Sequence, residues 1–174
     1  MGRPSLTRGR KSMTYYPGTT GLPDQASPPM LNKSWTVTAY VEVPDAKANG
    51  MIVTQGGLEG GYGVYLRDGK VNFVYNFLGT ERFPFSSKTA LAKGKHTIVV
   101  DFVYDGGVGK GGTISISDNG TKIGGGRMEK TIPAQMSLGE GLDIGMDVGS
   151  PVDFTYKLPF AFTGKIEKVT VDLK

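Results

Sequence analysis

Apolar and polar residues alternate along this chain with a period of two in seven or more runs, and turn-forming Gly, Asn, Asp and Pro separate them. The first clear run is Ser34 to Val43, where Trp35, Val37, Ala39, Val41 and Val43 share one face and Thr36, Thr38, Tyr40 and Glu42 take the other. That alternation is the mark of a half-buried strand. Pro44-Asp45 ends it, and Asn49-Gly50 leads into a strand over Met51 to Gln55. Tyr62 to Arg67 and Lys70 to Asn76 flank Asp68-Gly69, a favoured type I′ pair. Counting outward from that turn places Leu66 opposite Val71, Val64 opposite Phe73 and Tyr62 opposite Tyr75, all on one face, with Tyr65 opposite Asn72 on the other.

A short strand is predicted at Glu81 to Phe85 and a long one at Lys95 to Tyr104. Both faces of the long one are partly apolar, which predicts a central strand covered on both sides. Thr113 to Ser117 and Lys122 to Met128 form a second hairpin around Asn119-Gly120, pairing Ile116 with Ile123. Residues 129 to 160 read as irregular, with a short strand at Leu142 to Met146. In the last strand, Ala161 to Leu173, the inward set changes parity between Phe162 and Ile166 on one side and Val169, Val171 and Leu173 on the other. One bulge near Glu167-Lys168 reconciles the two. Strands throughout, with no amphipathic helix, predict an all-β antiparallel sandwich or jelly roll.

Five prolines (Pro4, Pro17, Pro23, Pro28 and Pro29) mark residues 1 to 33 as an extended arm before the sandwich at 34 to 174. Tyr15 and Tyr16 form an apolar patch in this arm, suited to pack on the sandwich surface or on a partner. The formal charge of +4 arises in the first eleven residues, where Arg3, Arg8, Arg10 and Lys11 stand without an acid. The other 16 Lys and Arg balance all 16 Asp and Glu. A near-neutral sandwich with a basic arm argues against a dedicated nucleic-acid module. No apolar run approaches the roughly 20 residues that span a bilayer, and the basic start lacks the apolar stretch of a secretory signal. Compartment is open, because a chain with no Cys folds in either redox environment.

Few residues offer chemistry. Gly106 to Gly112 fails as a phosphate loop: Tyr104 stands where the first Gly belongs, Gly111 where the hydroxyl belongs, and a strand follows. His96 is the one imidazole, in phase with Ile98 and Val100, and reads as a structural or surface residue. Asp143, Asp147 and Asp153 are the only weak candidates for Ca²⁺, without EF-hand spacing and without a closing Glu. Otherwise no cofactor is expected, and turn capping is their ordinary role. Trp35, Tyr62 and Tyr75 fall in the core phase. Tyr40 and Tyr65 lie on the opposite phase and are the sugar-platform candidates. The segment 76–83 sets Asn76, Phe77 and Phe83 beside Arg82, a mixture found at interface cores.

Five stretches, RPSLTRGRKSMTYYPGTTGLP (3–23), NGMIVTQGG (49–57), YLRDGKVNFVYNFLG (65–79), FVYDGGVGKGGTISI (102–116) and LPFAFTGKIEKVTVDL (158–173), resemble in order the C-terminal domain of long bacterial arylsulfatases. The resemblance implies a concanavalin-A-like, laminin-G-like jelly roll packed beside a sulfatase catalytic domain. It also implies that the arm follows the catalytic part, so that Met1 reads as a cut or restart. Sulfatases mature a Cys or Ser in a C/S-x-P-x-R signature, and no position here matches it. The chain is therefore expected to be non-catalytic. On the docking reading, Tyr15, Tyr16, Asn76, Phe77 and Arg82 contact the catalytic domain. On the alternative reading the chain is an independent lectin-like module, with Tyr40, Tyr65 and Arg82 at the sugar.

Overall fold

A computed structural model describes residues 4–174; Met1 and Arg3, and with them the start of the arm, lie outside the described residues. Eleven strands form: β1 (Ser12–Tyr15), β2 (Trp35–Val43), β3 (Gly50–Gly57), β4 (Gly60–Arg67), β5 (Lys70–Phe77), β6 (Glu81–Ser86), β7 (Gly94–Tyr104), β8 (Lys110–Asp118), β9 (Thr121–Lys130), β10 (Leu142–Ile144) and β11 (Lys165–Leu173). They make two sheets, six-stranded in the order β1-β11-β2-β7-β8-β9 and five-stranded in the order β10-β3-β4-β5-β6. All the pairings within the sheets are antiparallel. This is the expected jelly-roll sandwich.

The alternation read from the sequence builds the space between the sheets. Trp35 of β2 sits at its centre, with ring centroids 5.3 Å from Phe102, 5.6 Å from Phe73 and 6.4 Å from Tyr62. The β4–β5 hairpin has the expected register, with Tyr62↔Tyr75, Val64↔Phe73 and Leu66↔Val71. Its turn works because Asp68 and Gly69 both take positive φ, 49° and 74°. The β11 bulge lies between Ile166 and Lys168, so that Ile166 and Val169 both face inward.

Three details differ from the sequence expectations. In the β8–β9 hairpin a bulge takes up Ile123, so Ile116 stands opposite Gly124 and not Ile123. The last strand begins at Lys165, because residues 161–164 return to the other sheet: Ala161 bridges Met51. Strand β7 is central, yet only one of its faces is covered; Val103 is exposed and Thr97, Val99 and Asp101 are half-buried. The strands covered on both faces are β3 and β4.

The cover over the second face is the segment 145–164. Val152, Tyr156 and Phe160 pack on Met51, Tyr65 and Val74 in a second apolar cluster outside the sandwich core. The stacked Tyr156 and Phe160 rings, 4.6 Å apart, lie against Tyr65 at 5.4 and 5.6 Å. The arm is also part of the fold. Strand β1 completes the edge of the six-stranded sheet through Met13↔Val171 and Tyr15↔Val169, and Met13, Tyr15 and Met30 join the main core. The prolines flank this four-residue strand and do not interrupt it.

Candidate functional site

The outer face of the six-stranded sheet is left bare, and its polar residues are set by the same alternation that fills the core. Cross-strand register decides which of them meet. Tyr40 stands between Thr97 on β7 and Lys168 on β11. Glu42, two residues on, stands between Lys95 on β7 and Lys165 on β11. Around this ladder a cleft of about 430 Å³ opens, lined also by His96, Asn119, Ile166 and Glu167. Its size falls in the range of small-ligand sites.

The cleft offers one aromatic ring amid hydrogen-bonding groups of both kinds. Tyr40 is half-buried, and the Lys168 ammonium lies 5.1 Å from its ring centroid. Glu42 makes no ion pair among the described residues, although Lys95 and Lys165 flank it. Asn119 is held by its Oδ1, which accepts the Thr97 N–H at 2.9 Å; its amide nitrogen makes no hydrogen bond among the described residues. These groups can donate to and accept from hydroxyls while the ring takes an apolar sugar face.

The cleft does not offer nucleophilic chemistry. His96 Nδ1 lies 2.9 Å from both carboxylate oxygens of Asp118, and Nε2 lies 2.6 Å from the Ala92 carbonyl. Both ring nitrogens face acceptors, so this His–Asp pair has no free nitrogen to receive a proton from a nucleophile. The imidazole is structural, as its phase predicted.

The other nominated residues are dispersed. Tyr15 is buried, and its hydroxyl donates to the Ala26 carbonyl at 2.9 Å. Burial pushes that hydroxyl up to about 12, with Arg10 opposing. Tyr15 thus packs on its own sandwich, whereas Tyr16 next to it is 59% exposed. Tyr65 is only 3% exposed because the 145–164 segment lies over it, which removes it as a sugar platform. Burial raises its hydroxyl, which meets Thr155 Oγ1 at 3.1 Å. Asn76 is fully buried and ties two loops: its amide donates to the Gly57 and Leu58 carbonyls, and its Oδ1 accepts the Gly79 N–H. Phe77 is half-buried under the Lys130 ammonium, 4.6 Å from its ring centroid.

Arg82 donates to the Val152 carbonyl at 3.1 Å, lies 3.7 Å from Asp153, and covers the Phe154 ring at 4.3 Å. It is far in the fold from Tyr40, on the opposite sheet. The three aspartates are each used locally. Asp143 accepts from the Gly21 and Val148 backbone, Asp147 from the Tyr156 hydroxyl, and Asp153 from the Thr155 hydroxyl. No group of three or more potential metal-ligating side chains gathers among the described residues. Burial pushes the Asp147 carboxyl up to about 7; the Tyr156 hydrogen bond opposes this, and the charges of Asp143 and Glu140 add to it.

The sequence singled out Tyr40 but none of its companions. Glu42 carries a signal, being two residues from Tyr40 on the same face. Thr97, Asn119, Lys95 and Lys165 do not, because strand order and register bring them there.

The class of protein this architecture defines is a two-sheet jelly roll of the kind found in carbohydrate-binding and laminin G domains. The chain is similar to the CBM40 domain of Ruminococcus gnavus IT-sialidase bound to α2,3-sialyllactose, with 15% identity and a TM-score of 0.56 over 82% of this chain and 77% of that one. It is similar to part of NanB sialidase from Streptococcus pneumoniae, with 13% identity and a TM-score of 0.62 over 91% of this chain but 26% of that one. Domains LG4-5 of the mouse laminin α1 chain give 16% identity and a TM-score of 0.53 over 92% and 41%. At these identities the likeness is one of fold. No family model and no curated protein matches the chain.

Proposed function

We propose that this chain is a non-catalytic, lectin-like module that binds a glycan in the cleft around Tyr40. The observation that carries the proposal is the ladder on the bare sheet face: an accessible ring bracketed by Thr97 and Lys168, next to an unpaired Glu42 bracketed by two lysines. A sugar ring needs an apolar surface for its C–H face and both donors and acceptors for its hydroxyls, and the cleft supplies all three. The likeness to a sialidase CBM40 domain bound to sialyllactose supports a glycan as the class of ligand. An array of immobilised glycans tests it: binding in the wild type, lost in Tyr40→Ala and kept in Tyr65→Phe, is the expected pattern. The absence of any glycan whose saturable binding is lost in Tyr40→Ala would reject it.

The second reading is a domain that docks on and completes an arylsulfatase catalytic domain. The ordered sequence resemblance over most of the chain supports it, and so does one structural observation. Leu58, Leu78 and Leu138 are exposed on loops at one end of the sandwich, and Phe154 is 71% exposed beside Arg82. Of the nominated docking residues, Tyr16, Phe77 and Arg82 remain available to such a contact. A stable complex between this chain and a separately made sulfatase catalytic domain, weakened by Phe154→Ser and Leu138→Ser, is what this reading requires.

A further inference from the structure

The charge that the sequence assigns to an arm is folded into a groove. Ser5, residues 7–11, Pro29, Lys33 and the pair Leu173-Lys174 line a depression of about 510 Å³. Its walls carry Arg8, Arg10, Lys11, Lys33 and Lys174, and no acidic residue lines it. Lys174 is committed to Asp101 at 2.6 Å. The other four make no side-chain hydrogen bond or ion pair among the described residues.

These cations are held in place by their backbone. Leu6 donates its N–H to the Gln25 carbonyl, Arg10 to the Thr7 carbonyl, and Leu173 to the Lys11 carbonyl. Thr7 is buried, with its hydroxyl directed to the Ser27 carbonyl at 3.4 Å. Folding thus gathers around one groove four cations without a partner among the described residues, which costs self-repulsion that an anion would relieve. Two are guanidiniums, whose forks match two-oxygen acceptors such as sulfate or carboxylate.

We propose that this groove binds an anionic polysaccharide segment through its sulfate or carboxylate groups, at a site separate from the Tyr40 cleft. The lining favours a polysaccharide over a nucleic acid. No aromatic side chain lines the groove among the described residues, so it has nothing on which a base could stack. Its apolar wall is aliphatic, from Pro29, Leu173 and the lysine stems.

Calorimetric titration of the full chain tests the site with four probes: a heparin hexasaccharide, its desulfated counterpart, an oligogalacturonate of equal length, and a single-stranded oligonucleotide of similar charge. The heparin fragment should bind at low salt, and affinity should fall steeply as salt rises. Arg8→Gln with Lys33→Gln should weaken binding about tenfold or more, since each step of about 1.4 kcal/mol is a factor of ten. An unchanged thermal midpoint in that variant shows that the loss is not one of folding. Tyr40→Ala should leave heparin binding as it is, which separates this site from the cleft. The oligogalacturonate arm tells whether carboxylates suffice without sulfates. Equal binding of the oligonucleotide, equal binding by the double variant, or no heparin binding at low salt would each overturn the proposal.

Discussion

Asp147 makes the stability of this fold depend on pH in an unusual direction. Its side chain is fully buried within the 145–164 cover; one oxygen accepts the Tyr156 hydroxyl and the other has no partner among the described residues. Desolvation raises its carboxyl from 3.8 to about 7. Between those values the folded chain keeps a proton that the unfolded chain has released. The native state then binds more protons at this site, so the stability that Asp147 contributes is greatest below about pH 4, falls as pH rises to about 7, and levels off above. A shift of about three decades at about 1.4 kcal/mol each sets a ceiling near 4 kcal/mol. Structural relaxation and water entry around the loop 145–150 reduce this, and about 2 kcal/mol is expected. Asp147→Asn keeps an oxygen for Tyr156 and removes the charge. Urea unfolding of both proteins at pH 3, 4, 5, 6, 7 and 8 measures the effect. The variant should gain about 2 kcal/mol on the wild type between pH 3 and pH 8, because the other titrating groups cancel in the difference. Any fixed cost of the new amide also cancels. A difference that stays constant with pH would refute the reasoning.

Trp35→Ala removes the ring that Tyr62, Phe73 and Phe102 surround, and should cost about 3–5 kcal/mol by chemical denaturation. Gly50→Ala should destabilise by about 2 kcal/mol or more, because Gly50 has φ 115° and a Cβ there would run into the Ala161 carbonyl, next to the Phe160 carbonyl that accepts the Met51 N–H and ties the cover to β3. Tyr40→Ala sits on an open face and should change stability by less than about 0.5 kcal/mol while weakening glycan binding about tenfold. Deleting residues 1–20 removes β1, with Met13 and Tyr15 from the core, and should lower the thermal midpoint and leave β11 as an aggregation-prone edge; an unchanged midpoint would contradict the packing of the arm.

What the sequence made legible is what depends on local alternation. The inward faces of β2, β4, β5 and β7, the register of the β4–β5 hairpin and the bulge at Glu167 all follow from period-two patterning and turn chemistry. The β8–β9 register escaped because a bulge at Ile123 leaves no mark in a Gly-rich run, where adjacent residues carry no side chain to reveal a change of face. Tyr65 looked exposed for a physical reason. Its phase is outward, and only the tertiary path of an irregular segment, docked through Val152, Tyr156 and Phe160, covers it. Their spacing of four residues is the one available signal, and it does not say where they dock. Tyr40 was found by phase, but its neighbours come from three other strands or turns, which single-strand patterning does not order.

The claim that most needs testing is that ligand meets the sheet face at Tyr40. Amide chemical-shift mapping on the uniformly ¹⁵N-labelled chain, titrated with the glycan that binds best on the array, addresses it directly. The account predicts saturable shifts clustered at Tyr40, Glu42, Thr97, Asn119 and Lys165, with Leu58, Leu78 and Leu138 unmoved. Shifts confined to that opposite set of loops, or no saturable shift with any glycan, would contradict it.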